Sequence, residues 1–414
     1  MKLKIALFNE SFPPFIDGVS MTVKNYADII NEKLGEAFVV TPYLRGVYDD
    51  YPYKVIRYSS IPSTNAKIQY PIGNPMSFTS IHEIRREKPD LIHVHSPFSG
   101  SVLARMCAIN NDIPVVLTYH TKFDQDIDTR LINPQFRQIA KNFVRVNVSN
   151  ADEVWSVSNG CGGALRTIGY KGIYRVMENG ADYDRRCSSP EEIAKINEEW
   201  GLEPDEKLLL FVGRMHWYKN IKLILDAVRK AHLAGNQFKA IFVGNGGEFE
   251  DIKAYAKRLG ASSYVYFAGA VREREKLRAY YSRANLLLFP STYDTSGLVV
   301  KEAAACDTPA LLIRGSCAAE GVEDGFSGFL CEDNLISCTD VLINALSNST
   351  RLASIGKNAG RYVYLSWEDS IRKAYARYEE IVTLWNNIPQ INRRRMYKKV
   401  NERLQGINGT LPKN

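Results

Sequence analysis

The sequence predicts two doubly wound α/β domains, and three observations carry that prediction. Short apolar or β-branched runs alternate with longer amphipathic stretches. The alternation occurs twice along the chain. The runs are also continuously apolar, which is the pattern of parallel strands covered by helices on both faces. The first series places strands at 4–8, 38–41, 55–58, 91–95, 115–119, 154–157 and 174–177. The second restarts at 208–212 and continues through 240–243, 264–267, 286–289, 310–313 and 328–330. Between them, 182–206 carries no strand pattern: Arg185-Arg186-Cys187-Ser188-Ser189-Pro190 leads into a charged, helix-prone run, and the domain boundary is placed there. Ser366 reads as the N-cap of an amphipathic helix running to about Leu384, with Glu368 and Asp369 in its first turn. After Pro389 the chain is polar and basic, and partial order at best is expected. The expected organisation is a domain over 1–185, a second over 186–365, a helix over 366–390 packing back towards the first domain and a basic tail over 391–414. The two domains are expected to face each other across a cleft.

Composition narrows the class. The 414 residues suffice for two hydrophobic cores at roughly 150 residues per domain. A hydrophobic fraction of 45% and a charged fraction of 24% exclude a collagen-like, mucin-like or disordered chain. Apolar runs such as 208–212 and 286–289 fall far short of the roughly 20 residues of a membrane-spanning helix. The N-terminus turns polar at Asn9 and Glu10, so it reads as a buried first strand and not as a signal-peptide core. The seven cysteines form no C-x-x-C pair and no zinc-type spacing. Neither a disulfide framework nor a structural metal is expected, and a reducing cytoplasm is the expected home. In that compartment the N-x-[ST] triplets at Asn147, Asn348 and Asn408 are chance matches. The net charge of +7 and pI near 8.8 favour anionic partners without choosing among nucleic acid, acidic lipid and phosphorylated small molecules. One basic cluster comprises Arg393, Arg394, Arg395, Lys398 and Lys399, and another Lys122, Arg130, Arg137, Lys141 and Arg145. Both read as solvated helix faces, with contact at an anionic inner membrane face left open.

Open α/β sheets bind ligands at the carboxyl ends of their strands, and three such loops stand out. After the first strand, Phe12-Pro13-Pro14-Phe15-Ile16-Asp17-Gly18 enters a helix, where Gly18 would let backbone amides approach a phosphate or sugar. After 208–212, Gly213-Arg214-Met215-His216-Trp217-Tyr218-Lys219 carries two cations that could converge on one diphosphate. After 286–289, Asp294 sits on a polar loop, Gly297 opens a helix and Glu302 follows on that helix. Both carboxylates could accept hydrogen bonds from sugar hydroxyls while the amides near Ser296–Leu298 face an anion. The plainer readings are a geometric glycine, two surface cations, an acidic turn and an exposed helical glutamate.

Together these segments resemble the retaining, nucleotide-sugar-dependent glycosyltransferases of family 4, with the GT-B fold. The resemblance rests on Asp294-x7-Glu302, Gly213-Arg214 with Lys219, Phe242-Val243-Gly244-Asn245-Gly246-Gly247 and Val265-x-Phe267-x-Gly269-x-Val271. In the first half it rests on Pro13-Pro14 to Gly18, His93-Val94-His95, Thr118-Tyr119-His120-Thr121 and Glu178-Asn179-Gly180-Ala181-Asp182. It implies that Glu302 holds the nucleotide ribose, that Asp294 contacts the donor sugar, and that Arg214 and Lys219 bind the diphosphate with the Gly18 loop. It further implies donor contacts from Gly244, Asn245, Val271, Thr295, Ser296, Gly297 and Leu298, and an approach of His120 to the sugar. The sequence departs from the family pattern at three places: Asp294 replaces the commoner Glu, Thr295-Ser296 replaces a Gly-aromatic pair, and Asp17 replaces a second glycine.

The implied chemistry is transfer of a hexosyl unit from a UDP- or GDP-sugar to an acceptor hydroxyl with retention, needing no cofactor and no metal. The acceptor would be a glycan, glycolipid or small molecule, and nucleic acid is not expected because the basic residues lack an aromatic platform. The alternatives are a phosphorylase, a sugar-nucleotide epimerase, or a non-catalytic nucleotide-sugar-binding or scaffold protein of the same fold. For the acceptor wall the candidate is 121–145, whose Phe136, Ile139, Phe143 and Val144 suit either a lipid-linked acceptor or core packing. Core packing is the preferred reading.

Overall fold

The computed structural model describes residues 2–61 and 71–407, apart from the side chains of Asn110, Arg130 and Ile407. Arg130 of the second basic cluster and the Asn408 triplet therefore lie outside the described residues. The chain divides into two compact units, Met1–Glu178 with Glu368–Asn414, and Asn179–Trp367. The break at Glu178–Asn179 precedes the pattern-free stretch, whose helix Pro190–Trp200 belongs to the second unit.

The first unit holds β1 (Lys4–Phe8), β2 (Glu36–Pro42), β3 (Val55–Tyr58), β4 (Ser60–Ile61), β5 (Ile72–Gly73), β6 (Leu91–Val94), β7 (Val115–Tyr119), β8 (Glu153–Ser156) and β9 (Arg175–Val176). Seven of them form a parallel sheet in the order β3-β2-β1-β6-β7-β8-β9, and β4 and β5 pair separately as a small antiparallel ribbon. The second unit holds β10 (Leu208–Val212), β11 (Lys239–Val243), β12 (Val265–Gly269), β13 (Leu286–Leu288), β14 (Ala310–Ile313) and β15 (Phe329–Cys331). Its order is β12-β11-β10-β13-β14-β15, again all parallel. Every residue of β6, β7 and β10 is buried, because helices cover both faces of each sheet; this is why the strands read as unbroken apolar runs. In both sheets the strand order reverses once, between β1 and β6 and between β10 and β13. Connections from the two central strands diverge there and leave a crevice at the strands' carboxyl ends.

The C-terminal segment differs from its expected form as a loosely ordered tail. Helix Arg393–Ile407 follows helix Trp367–Asn387, and its Tyr397 is fully buried. Three of the cations read as solvated serve as anchors. Arg393 donates to Asp112 at 2.5 Å and to the Ile388 carbonyl at 2.7 Å. Arg394 donates to Asp152 and to the Ile113 carbonyl. Lys398 reaches the Ser149 carbonyl at 2.9 Å. Only Arg395 and Lys399 of that cluster are exposed. Nearby, buried Glu153 accepts from Arg377 at 2.6 and 2.9 Å, from Tyr397 at 2.9 Å and from Trp155 at 2.8 Å. Burial alone would raise its pKa, but the Arg377 bonds outweigh burial and hold it below the usual value.

Helix Pro134–Asn150 also departs from the core-packing reading. Its buried residues are Val144, Asn147 and Val148, whereas Phe136 (62%), Ile139 (64%), Phe143 (46%) and Val146 (45%) stand exposed. Their spacing puts all four on one stripe. Cys187 is exposed and the other six cysteines are buried, all as free thiols.

Candidate active site

At the crevice of the second unit, the connections after β10 and β13 are tied together. Asn220, in the left-handed region at φ +60°, ends a short turn over Trp217–Lys219, and its side-chain amide donates to the Pro290 carbonyl at 3.0 Å. The same turn aims Lys219 inward. Its Nζ lies 2.6 Å from Asp294 Oδ2 and 5.6 Å from the centre of the Phe289 ring, and the lysine is 8% exposed. The structure therefore joins Lys219 and Asp294, which the sequence reading had assigned to different parts of a ligand. The Arg214 side chain is exposed and makes no hydrogen bond or ion pair with any described residue, so Lys219 alone of the two cations is desolvated.

Gly297 precedes helix Leu298–Ala305 at φ +59°, and a Cβ there would lie 2.9 Å from the Ala318 Cα. Glycine is required on both counts. Thr295, Ser296 and Leu298 around it are partly exposed. Five positions into the helix, Glu302 accepts a 2.7 Å hydrogen bond from the Tyr281 hydroxyl. Burial pushes its pKa up to about 7, with Asp182 adding to the rise and the Tyr281 bond and Arg274 opposing it. The two carboxylates of the Asp-x7-Glu spacing thus sit in different environments, one ion-paired and one kept near its own titration point.

The connection after β11 forms the neighbouring wall. At Gly244, φ is +138° and a Cβ would fall on the Gly213 carbonyl; its amide bonds Gly269 at 2.7 Å, and Asn245 accepts from the Met215 amide at 3.0 Å. Val271 packs partly buried against the core beyond β12. Several residues here carry no motif: His216 hydrogen-bonds Glu248 and stacks on Tyr218 with ring centres 5.1 Å apart, and Tyr218 lies 4.7 Å from Tyr293. Of these, only the run His216-Trp217-Tyr218 beside Lys219 offered a signal, as an aromatic-rich strand-end loop.

In the first unit, Gly18 is exposed with open space where a Cβ would stand, so its glycine character is not required by the backbone. It opens helix Gly18–Ile29, and Asp17 caps that helix by accepting from the amides of Val19 and Ser20, each at 2.9 Å. The amides expected to greet a phosphate are taken by the residue that replaces the second glycine. After β7, His120 is buried, with Nε2 3.0 Å from His95 Nδ1; burial pulls its pKa down to about 3. His93 is satisfied at both nitrogens, by Thr118 at 2.7 Å and Tyr378 at 2.6 Å. His95 is satisfied only at Nδ1: its Nε2 is buried without a partner among the described residues. His82 is exposed, whereas His232 stacks on Tyr264 with centres 3.8 Å apart. Glu10, which no motif marked, is held at the start of helix Ser99–Asn111 by the Gly100 amide at 2.6 Å and the Ser99 hydroxyl at 2.7 Å.

Comparison with known proteins matches this arrangement at the level of family. Residues 16–185 match Glycosyltransferase Family 4 and residues 192–362 match Glycosyl transferases group 1. The chain is 26% identical over 320 residues to an alpha-monoglucosyldiacylglycerol synthase of Streptococcus pneumoniae, covering 75% of this chain and 70% of that protein. It is 23% identical over 409 residues to the alpha-monoglucosyldiacylglycerol synthase of Acholeplasma laidlawii, covering 96% and 100%. Its fold matches the structure of Anabaena HepE in complex with UDP and glucose at a TM-score of 0.68, with 18% identity over 91% of this chain and 100% of that one. The chain belongs to the family 4, or group 1, glycosyltransferases of GT-B fold, retaining enzymes that transfer a hexosyl unit from a nucleotide sugar.

Proposed function

We propose that the enzyme transfers a hexosyl unit, with UDP-glucose as the first donor to test, to the hydroxyl of a lipid acceptor of the diacylglycerol class at a membrane surface. The observation that carries the acceptor class is the exposed apolar stripe of helix Pro134–Asn150, with Ile132 92% exposed just before it. Four large apolar side chains in water on one helix face cost free energy that embedding in a lipid interface returns. Arg137, Lys141 and Arg145 lie on the opposite side of the helix from the stripe, and Lys141 is paired with Asp128 at 2.7 Å. Apolar burial therefore drives the docking, and the chain's net charge of +7 adds a long-range attraction to anionic lipid. The two glucosyldiacylglycerol synthases among the relatives agree with this class, and the UDP and glucose in the HepE complex agree with the donor.

In this reading Glu302 accepts hydrogen bonds from the ribose hydroxyls, and the backbone around Thr295, Ser296, Gly297 and Leu298 meets the diphosphate. Gly244, Asn245 and Val271 line the nucleotide's other side. Lys219 has three N–H donors; Asp294 takes one and fixes the ammonium, leaving two for diphosphate oxygens. Arg214 closes on the same group from solvent as a fork. The charge that develops on the leaving diphosphate falls on these cations, which supply the main stabilisation of the transition state. Asp294 keeps Oδ1 for a donor-sugar hydroxyl. His120, neutral at ordinary pH, offers the sugar a hydrogen bond and not a proton, and Gly18 gives the donor an open approach at the helix start. Attack comes from the face the diphosphate leaves, with a phosphate oxygen taking the acceptor proton, so the anomeric configuration is kept.

The test is incubation with UDP-[14C]glucose and diacylglycerol in vesicles with and without anionic phospholipid. Labelled α-glucosyl lipid in both, faster with anionic lipid, is the expected result. UDP release without labelled lipid in either would refute the lipid acceptor.

A further inference from the structure

The carboxyl ends of β6 and β7 carry an ordered ladder of side chains. The two strands are parallel neighbours with His93 opposite Val116 and Val94 opposite Leu117. With a period of two, His93 and His95 share one sheet face, as do Thr118 and His120. Each rung is hydrogen-bonded, His93 to Thr118 at 2.7 Å and His95 to His120 at 3.0 Å. The upper rung joins two imidazoles, so one nitrogen must donate and the other accept.

The proton can be placed from the rest of His95. If His120 donated, the His95 hydrogen would sit on Nε2, which is buried with no partner among the described residues. If His95 donates from Nδ1, what remains at Nε2 is an unfilled acceptor. Buried orphan N–H groups are rarer and costlier than unfilled acceptors. The network therefore assigns the Nδ1–H form to His95. It follows that His120 Nε2 accepts and that the His120 hydrogen is on Nδ1, a nitrogen that bonds no described residue.

We propose that His95 is a positioning residue that holds His120 in its Nδ1–H tautomer, so that His120 presents a fixed hydrogen-bond donor to a hydroxyl of the donor sugar. This rests on the reading of His120 as a donor-facing group. Both rings are kept neutral by burial, which lowers the pKa of each, so the tautomer persists across the working range of pH. The Tyr26 ring meets His95 edge-on at 5.3 Å, and the His95 and His120 rings lie end to end and nearly coplanar, centres 5.2 Å apart and planes 19° apart, as an in-plane hydrogen bond requires; packing thus fixes the ring planes while the hydrogen bond fixes the proton.

The test combines a spectrum with kinetics on the full chain. In protein labelled with 15N-histidine, long-range 1H–15N correlations separate protonated from unprotonated ring nitrogens, and H95N and H120Q spectra identify the two rings. The expected wild-type result is His120 protonated at Nδ1 and bare at Nε2. H95F, which cannot donate, should mix the His120 tautomers and lower kcat about tenfold, the loss of roughly one hydrogen bond, with little change in donor KM. H95N, whose amide nitrogen stands near the place of Nδ1, should restore the single tautomer and most of the rate, which a loss of folding could not do. His120 protonated at Nε2 in the wild type overturns the inference whatever the kinetics. The expected tautomer with H95F at full rate overturns the positioning role. The expected tautomer with H120Q at full rate refutes the donor-facing reading of His120 itself.

Discussion

Glu302→Gln should make this enzyme more stable and a worse binder of nucleotide, with a pH dependence that a surface glutamate would not show. The folded chain keeps a proton on Glu302 up to about pH 7, whereas its ordinary value is 4.5. The folded state therefore binds more protons between those values, and stability falls as pH rises from about 4.5 to 7, then stays down. At about 1.4 kcal/mol per unit, burying the ionised carboxylate costs about 3 kcal/mol above pH 7. Glutamine keeps an oxygen for the Tyr281 hydroxyl and carries no charge. The variant should then match wild type near pH 4.5 and exceed it by up to about 3 kcal/mol at pH 8, or about 6–12 °C in Tm for a domain of 150–250 residues. Its UDP affinity should fall about 10- to 100-fold, because charge-assisted bonds to the ribose become neutral ones. Wild-type UDP affinity should also rise from pH 6 to 8, since ribose hydroxyls favour the ionised form. Thermal melts and calorimetric titrations at pH 5, 6, 7 and 8 read all of these. Equal stability of the two proteins at pH 8, or unchanged UDP affinity in the variant, would refute the reasoning.

Other perturbations separate function from fold. Lys219→Ala removes the desolvated cation and leaves Asp294 unpaired; the transfer rate should drop at least about 100-fold while Tm moves by only a few degrees, as steady-state kinetics and a melt would show. Arg377→Ala removes the bidentate partner of the buried Glu153 carboxylate, leaving it Tyr397, Trp155 and a more distant Arg175, and should cost about 3–5 kcal/mol, read by urea denaturation, with UDP affinity unchanged. Phe136→Asp combined with Ile139→Asp should abolish co-sedimentation with vesicles and leave Tm within about a degree, because both side chains stand in solvent; a large loss of Tm would return the helix to the core.

Strand positions were legible because β6, β7 and β10 are buried on both faces and so read as unbroken apolar runs. The glycines at 244 and 297 sit where a Cβ would strike backbone, so their glycine character reflects local backbone fit. What stayed hidden depends on contacts between residues far apart in the chain. Nothing local marks Arg394 as the partner of Asp152, 242 positions away, so a docked helix read as a solvated tail. Pro134–Asn150 has the same apolar-basic mixture whether its stripe faces a core or water, and composition cannot choose. The pairing of Lys219 with Asp294 follows from strand order, which brings β10 beside β13 although 75 residues separate the two side chains. Asp17 misled because its side chain closes on its own helix, a conformation the triplet Asp17-Gly18-Val19 does not announce.

The central claim is that the nucleotide diphosphate binds the second unit at the carboxyl ends of β10 and β13. Hydrogen–deuterium exchange of the full chain with and without saturating UDP tests it directly. The account predicts protection of the backbone over 213–220 and 292–303, and much less of both in Lys219→Ala. Protection confined to other segments, or none at a UDP concentration that supports turnover, would contradict it.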